Sequence, residues 1–240
     1  MLWIYDLTRG SLTQLTSEQS SSSNPLWTPD GRRVVYRSNK AGIWNLYWRP
    51  ADGSGAEERL TTSDNSDTPY SWSPDGKVLA FAKGSHDIWI LPLGGGRKAQ
   101  PFLQTPSIST SPQFSPDGRW LAYISEESGG AQVYVQPYPG PGGKWQVSTD
   151  GGTLPQWNPN SRELFYRNGD TIMVVDVTTS PTFSASKPRM LYQGPAGDVS
   201  RDAQRFLAMQ PVEPGQPPTQ IIVVLNWFEE LKQKVPTARK

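Results

Sequence analysis

Five small polar clusters carry the residues of this 240-residue chain whose types and spacing could do chemistry: Ser23-Asn24, Asp67-Thr68, Ser109-Thr110-Ser111, Thr153 and Asp198. Two carboxylates, an amide and several hydroxyls make a set of hard oxygen donors. Such a set can hydrogen-bond a small ligand or hold a calcium-type cation. Asn24, Asp67, Thr110 and Asp198 are the candidate ligand-binding residues. Cysteine is absent and His86 is the only histidine, so disulfides and thiolate chemistry have no residues to use, and a zinc site is not expected. His86 stands in Ser85-His86-Asp87. Neighbours along a strand point to opposite faces, so these three cannot form a triad among themselves. His86 is therefore expected to be structural or solvent-exposed. There is no Gly-x-Ser-x-Gly elbow. The glycine groups Gly94-Gly95-Gly96, Gly129-Gly130 and Gly142-Gly143 lie between strand-like runs, where they make turns, and not at the start of a helix, where they would cradle phosphate. No catalytic residue is assigned.

The elements that must position these clusters follow from an internal repeat. Thr28-Pro29-Asp30-Gly31 returns as Ser73-Pro74-Asp75-Gly76 and Ser115-Pro116-Asp117-Gly118. It decays to Asn158-Pro159-Asn160-Ser161 and Ser200-Arg201-Asp202-Ala203. The copies start at positions 28, 73, 115, 158 and 200, at intervals of 45, 42, 43 and 42 residues. In this turn proline presets φ, aspartate hydrogen-bonds nearby backbone N–H groups and glycine takes a positive φ. That role accounts fully for the repetition of Asp30, Asp75 and Asp117. An aromatic precedes four of the turns (Trp27, Trp72, Phe114, Trp157), with Val199 before the fifth. An apolar strand follows each one, as in Val34-Val35-Tyr36 and Leu121-Ala122-Tyr123. A third strand comes next, as in Leu46-Tyr47-Trp48, Ile88-Trp89-Ile90 and, in the last copy, Ile221-Ile222-Val223. A more polar fourth strand closes the unit.

Four strands in a period of this length are the signature of a β-propeller. The expected fold is all-β: a β-propeller of five four-stranded blades plus a partial sixth. It forms a single domain over 1–240, with a half blade at 1–18, repeats at 24–63, 67–105, 109–150, 153–194 and 196–231, and a basic tail at 232–240. Residues 2–7 read as a third strand and 12–16 as a fourth, so the chain begins in mid-blade. A half blade leaves an unpaired edge, which favours a homodimer.

Composition narrows the function. With 23 basic and 22 acidic residues and a net charge of +1, there is no electrostatic footprint for nucleic acid or an anionic membrane. No apolar run is long enough to span a bilayer. The N-terminus lacks the basic and apolar regions of a signal peptide, so the chain as given is expected in the cytoplasm.

The repeated Ser-Pro-Asp-Gly turn, the Leu-Ala-Phe/Tyr strand after it and Asp87-Ile88-Trp89 resemble the TolB-like, WD-type propeller repeat. The resemblance covers essentially the whole chain. It implies a fold more than an activity. Members of that family occur in periplasmic envelope machinery, beside peptidase domains, and as ends of bacterial serine/threonine kinases. Residues 222–231 look like the ending of the kinase-type propellers. The parent protein is accordingly expected in the periplasm or elsewhere outside the cytoplasm.

In a propeller the innermost strands line a channel, and the polar clusters fall just before those strands, at one mouth. The expected function is a non-catalytic module that binds a protein segment or small molecule there, with no required cofactor. The alternative is a calcium-dependent esterase or phosphotriesterase with Asn24, Asp67 and Asp198 as metal ligands. Two carboxylates are few for such a site, which favours binding. Trp44, Trp48, Trp120, Tyr138 and Trp145 form a second candidate surface, most of them expected in packing and a few in an exposed patch, with the loop at 137–143 the most exposed.

Overall fold

The repeated turns fold as their residue types require. Gly31, Gly76 and Gly118 sit at φ of 68°, 69° and 70°, the left-handed region glycine enters without steric cost. Their N–H groups close the turns onto Thr28, Ser73 and Ser115 carbonyls at 2.8–2.9 Å. In each turn the hydroxyl of Thr28, Ser73 or Ser115 donates to Oδ1 of Asp30, Asp75 or Asp117 at 2.6 Å. The same Oδ1 accepts the backbone N–H two residues on. The fourth turn keeps the shape with other residues: Ser161 holds φ 59° without being glycine.

A computed structural model describes residues 1–17, 20–194, 196–199 and 206–208, the last two segments as backbone strands. The chain opens with a hairpin, β1 (Trp3–Asp6) and β2 (Ser11–Gln14). The first complete sheet is β3 (Ser22–Trp27), β4 (Arg33–Ser38), β5 (Asn45–Pro50) and β6 (Glu58–Arg59). The second is β7 (Asp67–Trp72), β8 (Val78–Lys83), β9 (Asp87–Pro92) and β10 (Gln100–Gln104). The third is β11 (Ser109–Phe114), β12 (Trp120–Ser125), β13 (Gln132–Pro137) and β14 (Trp145–Gln146). The fourth is β15 (Thr153–Trp157), β16 (Glu163–Asn168), β17 (Thr171–Thr178) and β18 (Ser184–Ala185), with β19 (Arg189–Gln193) also on β17. β20 (Ala196–Val199) and β21 (Phe206–Ala208) form a last hairpin. All pairings among the described residues are antiparallel, and apart from β19, which returns to β17, they run as meanders in chain order, the blade pattern of a propeller.

The structure thus describes four complete blades flanked by two hairpins. The remaining strands expected of the fifth copy, Ile221-Ile222-Val223 among them, lie outside the described residues, as do 222–231. The fourth strands of the first and third blades, β6 and β14, are two residues each.

The core lies between blades, which is why the second and third strands read as continuous apolar runs. Val35, Leu46 and Leu60 of the first blade meet Leu79, Phe81 and Leu91 of the second. Ala80, Ile88 and Ile90 meet Phe114, Leu121 and Tyr123 of the third. Trp120, Val133 and Val147 meet Trp157, Leu164 and Val175 of the fourth. The opening hairpin lays Leu2 and Ile4 on Val34, Tyr36 and Tyr47. The turns also stack. A Cβ on Gly76 would touch the Pro29 ring at 3.5 Å, and one on Gly118 the Pro74 ring at 3.2 Å, so the prolines of the first two turns pack on the glycines of the second and third.

Candidate functional site: the inner strands and the crevice between the first two blades

The first strands of successive blades, β3, β7, β11 and β15, lie side by side, which makes them the inner ring. The polar clusters are the opening residues of these strands and do not precede them. Every inner strand contains a proline: Pro25, Pro69, Pro112 and Pro155. Every one also carries an irregularity in its register, between Ser23 and Leu26, Pro69 and Ser71, Thr110 and Gln113, and Thr153 and Gln156. The inner strand is the free edge of its sheet, so a missing N–H costs little there, and a bulge accommodates the extra residue. The residue before the proline is left-handed in three blades: Asn24 at φ 52°, Ser111 at 55° and Leu154 at 49°.

The four candidate ligand residues stand in different settings. Asn24 is exposed on the first bulge. Thr110 is half-buried, and its hydroxyl donates to the Tyr70 hydroxyl at 2.9 Å, across the boundary between the second and third blades. Asp67 is 1 % exposed. Asp198 lies in β20, where side chains are outside the described residues. A residue the sequence reading missed links two of the clusters. Arg37, at the end of β4, donates from Nε to Ser23 Oγ at 3.0 Å and from Nη1 to Thr68 Oγ1 at 2.9 Å. Its guanidinium lies 4.4 Å from the centre of the Trp44 ring. The available signal was its pairing register: Arg37 stands opposite Ser23.

Asp67 opens the inner strand of the second blade, and its N–H donates to Trp44 O at 2.8 Å. Its side chain lines a crevice of about 380 Å³ between the first two blades, together with Thr61, Ser63, Phe81, Lys83, Trp89, Arg97 and Lys98. Neither Asn24 nor Thr110 lines it. Both Asp67 carboxylate oxygens are buried without a hydrogen-bond partner among the described residues. Burial pushes the carboxyl up to about 6. The hydroxyls of Thr61 and Ser63 and the Lys83 ammonium pull it down without completing a hydrogen bond, and the Asp64 carboxylate raises it. Lys83 itself pairs with Asp64 at 3.3 Å and lies 4.7 Å from the centre of the Trp89 ring. Arg97 pairs with Glu58.

The other candidates resolve into structure. His86 is exposed in the turn between β8 and β9. Asp30 and Asp75 are held below the usual carboxylate range by the hydroxyl and backbone hydrogen bonds of their turns. Trp48 and Trp120 are buried. Tyr138 packs edge-on to Phe114 at 4.8 Å, and Trp145 edge-on to Trp120 at 5.5 Å. Most of these aromatics are therefore in packing, as the sequence reading has it, and none of these four forms an exposed patch. Among the described residues, Trp3, Tyr5 and Trp27 are the exposed aromatics. Among the described residues no group of three or more His, Cys, Asp or Glu converges, and no helix is long and apolar enough to cross a membrane.

A family model described as a TolB beta propeller domain matches residues 1–87 and 68–194. The Tol-Pal system protein TolB of Bordetella pertussis is 38% identical over 145 residues, which are 54% of this chain and 33% of that protein. The same holds for its counterpart in Bordetella bronchiseptica. The chain thus spans about a third of the length of the curated relatives it matches. Among solved structures, TolB from Acinetobacter baumannii is similar at a TM-score of 0.67 and 19% identity, over 85% of this chain and 52% of that one. A putative TolB from Agrobacterium tumefaciens matches at 0.60 and 18%, over 77% and 72%. An oligogalacturonate lyase in complex with manganese matches at 0.53 and 14%, over 90% and 79%. At these identities the structural likeness shows the fold alone.

Proposed function

Because the chain belongs to the TolB beta propeller domain family, we propose that it is a non-catalytic binding module that takes a protein segment along the channel edge of its inner strands. The observation that supports this is Leu154. It is a large apolar residue, 52% exposed, on an inner strand and held at φ 49°. A left-handed leucine costs about 1–2 kcal/mol, and packing offsets only part of that for a side chain that is more than half exposed. Strain of this kind collects where a surface must be presented in a fixed shape. Asn24 presents an amide from the equivalent bulge of the first blade. Together with the half-buried hydroxyl of Thr110, they offer an extended peptide one apolar and two polar contacts along the ring.

The curated relatives are named as Tol-Pal system proteins. On that likeness the partner is a protein component of a comparable assembly, and the parent protein works outside the cytoplasm. The test is to pan a phage-displayed library of random peptides on the full chain. The panning is expected to enrich peptides that bind the wild type and lose at least tenfold in affinity with Leu154→Gly. That variant should fold at least as stably, because glycine accepts the backbone angle freely. Peptides that bind Leu154→Gly and Asn24→Gly as well as the wild type would move the surface elsewhere. No enrichment would overturn the binding reading.

A further inference from the structure

We propose that the crevice between the first two blades is a binding site for an alkylammonium group, with the Asp67 carboxylate as its counter-ion. Charge bookkeeping along the walls points to this class. Lys83 is paired with Asp64, and Arg97 with Glu58. Lys98 is exposed, ahead of the outermost strand. Asp67 is the one charged group of the lining that is buried, and neither of its oxygens has a partner among the described residues. A buried anion demands a cation or strong donors. The three N–H donors of a primary ammonium can satisfy both carboxylate oxygens and leave one for the hydroxyls of Thr61 or Ser63.

The walls suit the rest of such a ligand. Phe81, Leu60 and Trp89 give an apolar lining for a methylene chain. The indole of Trp89 already faces one ammonium, that of Lys83, so the site tolerates cations against its aromatic surface. About 380 Å³ is room for a small amine, near the lower end of the usual range for ligand sites. A divalent metal fits less well. Calcium takes six to eight oxygens, whereas this lining offers one carboxylate and the hydroxyls of Thr61, Thr62 and Ser63. The ammonium can come from a free alkylamine or from a lysine side chain on a docked segment.

Calorimetric titration of the full chain tests the site with three probes: n-butylamine, the capped peptide acetyl-Gly-Lys-Gly-amide, and n-butanol as an uncharged control. Saturable binding of at least one amine is expected, at least tenfold weaker in Asp67→Asn and unchanged in Arg162→Ala, a change at an exposed residue of the fourth blade, with no binding of butanol. Binding of butylamine assigns a free amine, and binding of the peptide alone assigns a lysine side chain. In the wild type the indole N–H resonance of Trp89 should shift on titration, a readout that needs no variant. Absence of saturable binding by either amine, or equal binding by Asp67→Asn, would overturn the proposal. The peptide-binding reading would stand in either case, because it rests on Leu154 and Asn24.

Discussion

Asp67 combines a carboxylate with a setting that disfavours its charge. Its folded value of about 6 lies above the ordinary 3.8, and burial is the main cause. The sign of the effect follows from linkage. A raised folded value means the native state holds the proton more tightly than the unfolded chain does. Stability is then greatest below about pH 4 and falls as pH rises through 6. The gap corresponds to about 3 kcal/mol. Lys83 and Asp64 act in opposite directions on the same carboxyl. Denaturant unfolding between pH 4 and 8 should show this decline in the wild type. The decline should be absent in Asp67→Asn, which should also be the more stable protein at pH 8. An unchanged slope in the variant would assign the pH dependence to other groups. The sequence marked Asp67 as a polar residue opening an inner strand. It could not show which face of the blade the side chain takes, because that depends on how the end of the first blade, Leu60 to Ser63, packs against the second.

At the scale of the element, the inner strand is where sequence and structure part. The turns, the apolar second and third strands and the opening hairpin were legible, since proline, glycine and alternating apolar residues act locally. The proline-bulged inner strand was not. Pro25, Pro69, Pro112 and Pro155 argue against a strand when read alone, and only the channel edge makes them harmless. The bulge also redirects polar groups toward the next blade. Phe114 N–H donates to Ser71 Oγ at 3.1 Å and Trp157 Nε1 to Gln113 O at 3.0 Å, each joining adjacent blades. Ser71→Ala leaves the buried Phe114 N–H without its acceptor and should cost about 1–3 kcal/mol. Hydrogen exchange should report the loss at Phe114 first. Unaltered stability would mean that this bond contributes nothing net.

Across the whole molecule, stability is distributed over the interfaces between consecutive blades, each with its own apolar cluster. The opening hairpin has one face packed on the first blade, while Trp3, Tyr5 and Leu12 on the other are 49%, 58% and 59% exposed. Within the described residues β1 and β2 pair only with each other. A second copy covering that face should make the sedimentation coefficient rise with concentration, and Trp3→Glu should abolish the rise. A monomer at every concentration would remove the dimer. The stacked turns have a consequence for how such a chain can grow. The second copy brings Pro74 for its successor's Gly118 and Gly76 for its predecessor's Pro29, so a tandem duplication of that copy arrives with both turn contacts in place. At the turns themselves, a further repeat that keeps both residues needs no compensating change. Ser161 breaks that series: the fourth turn has no glycine to offer Pro116.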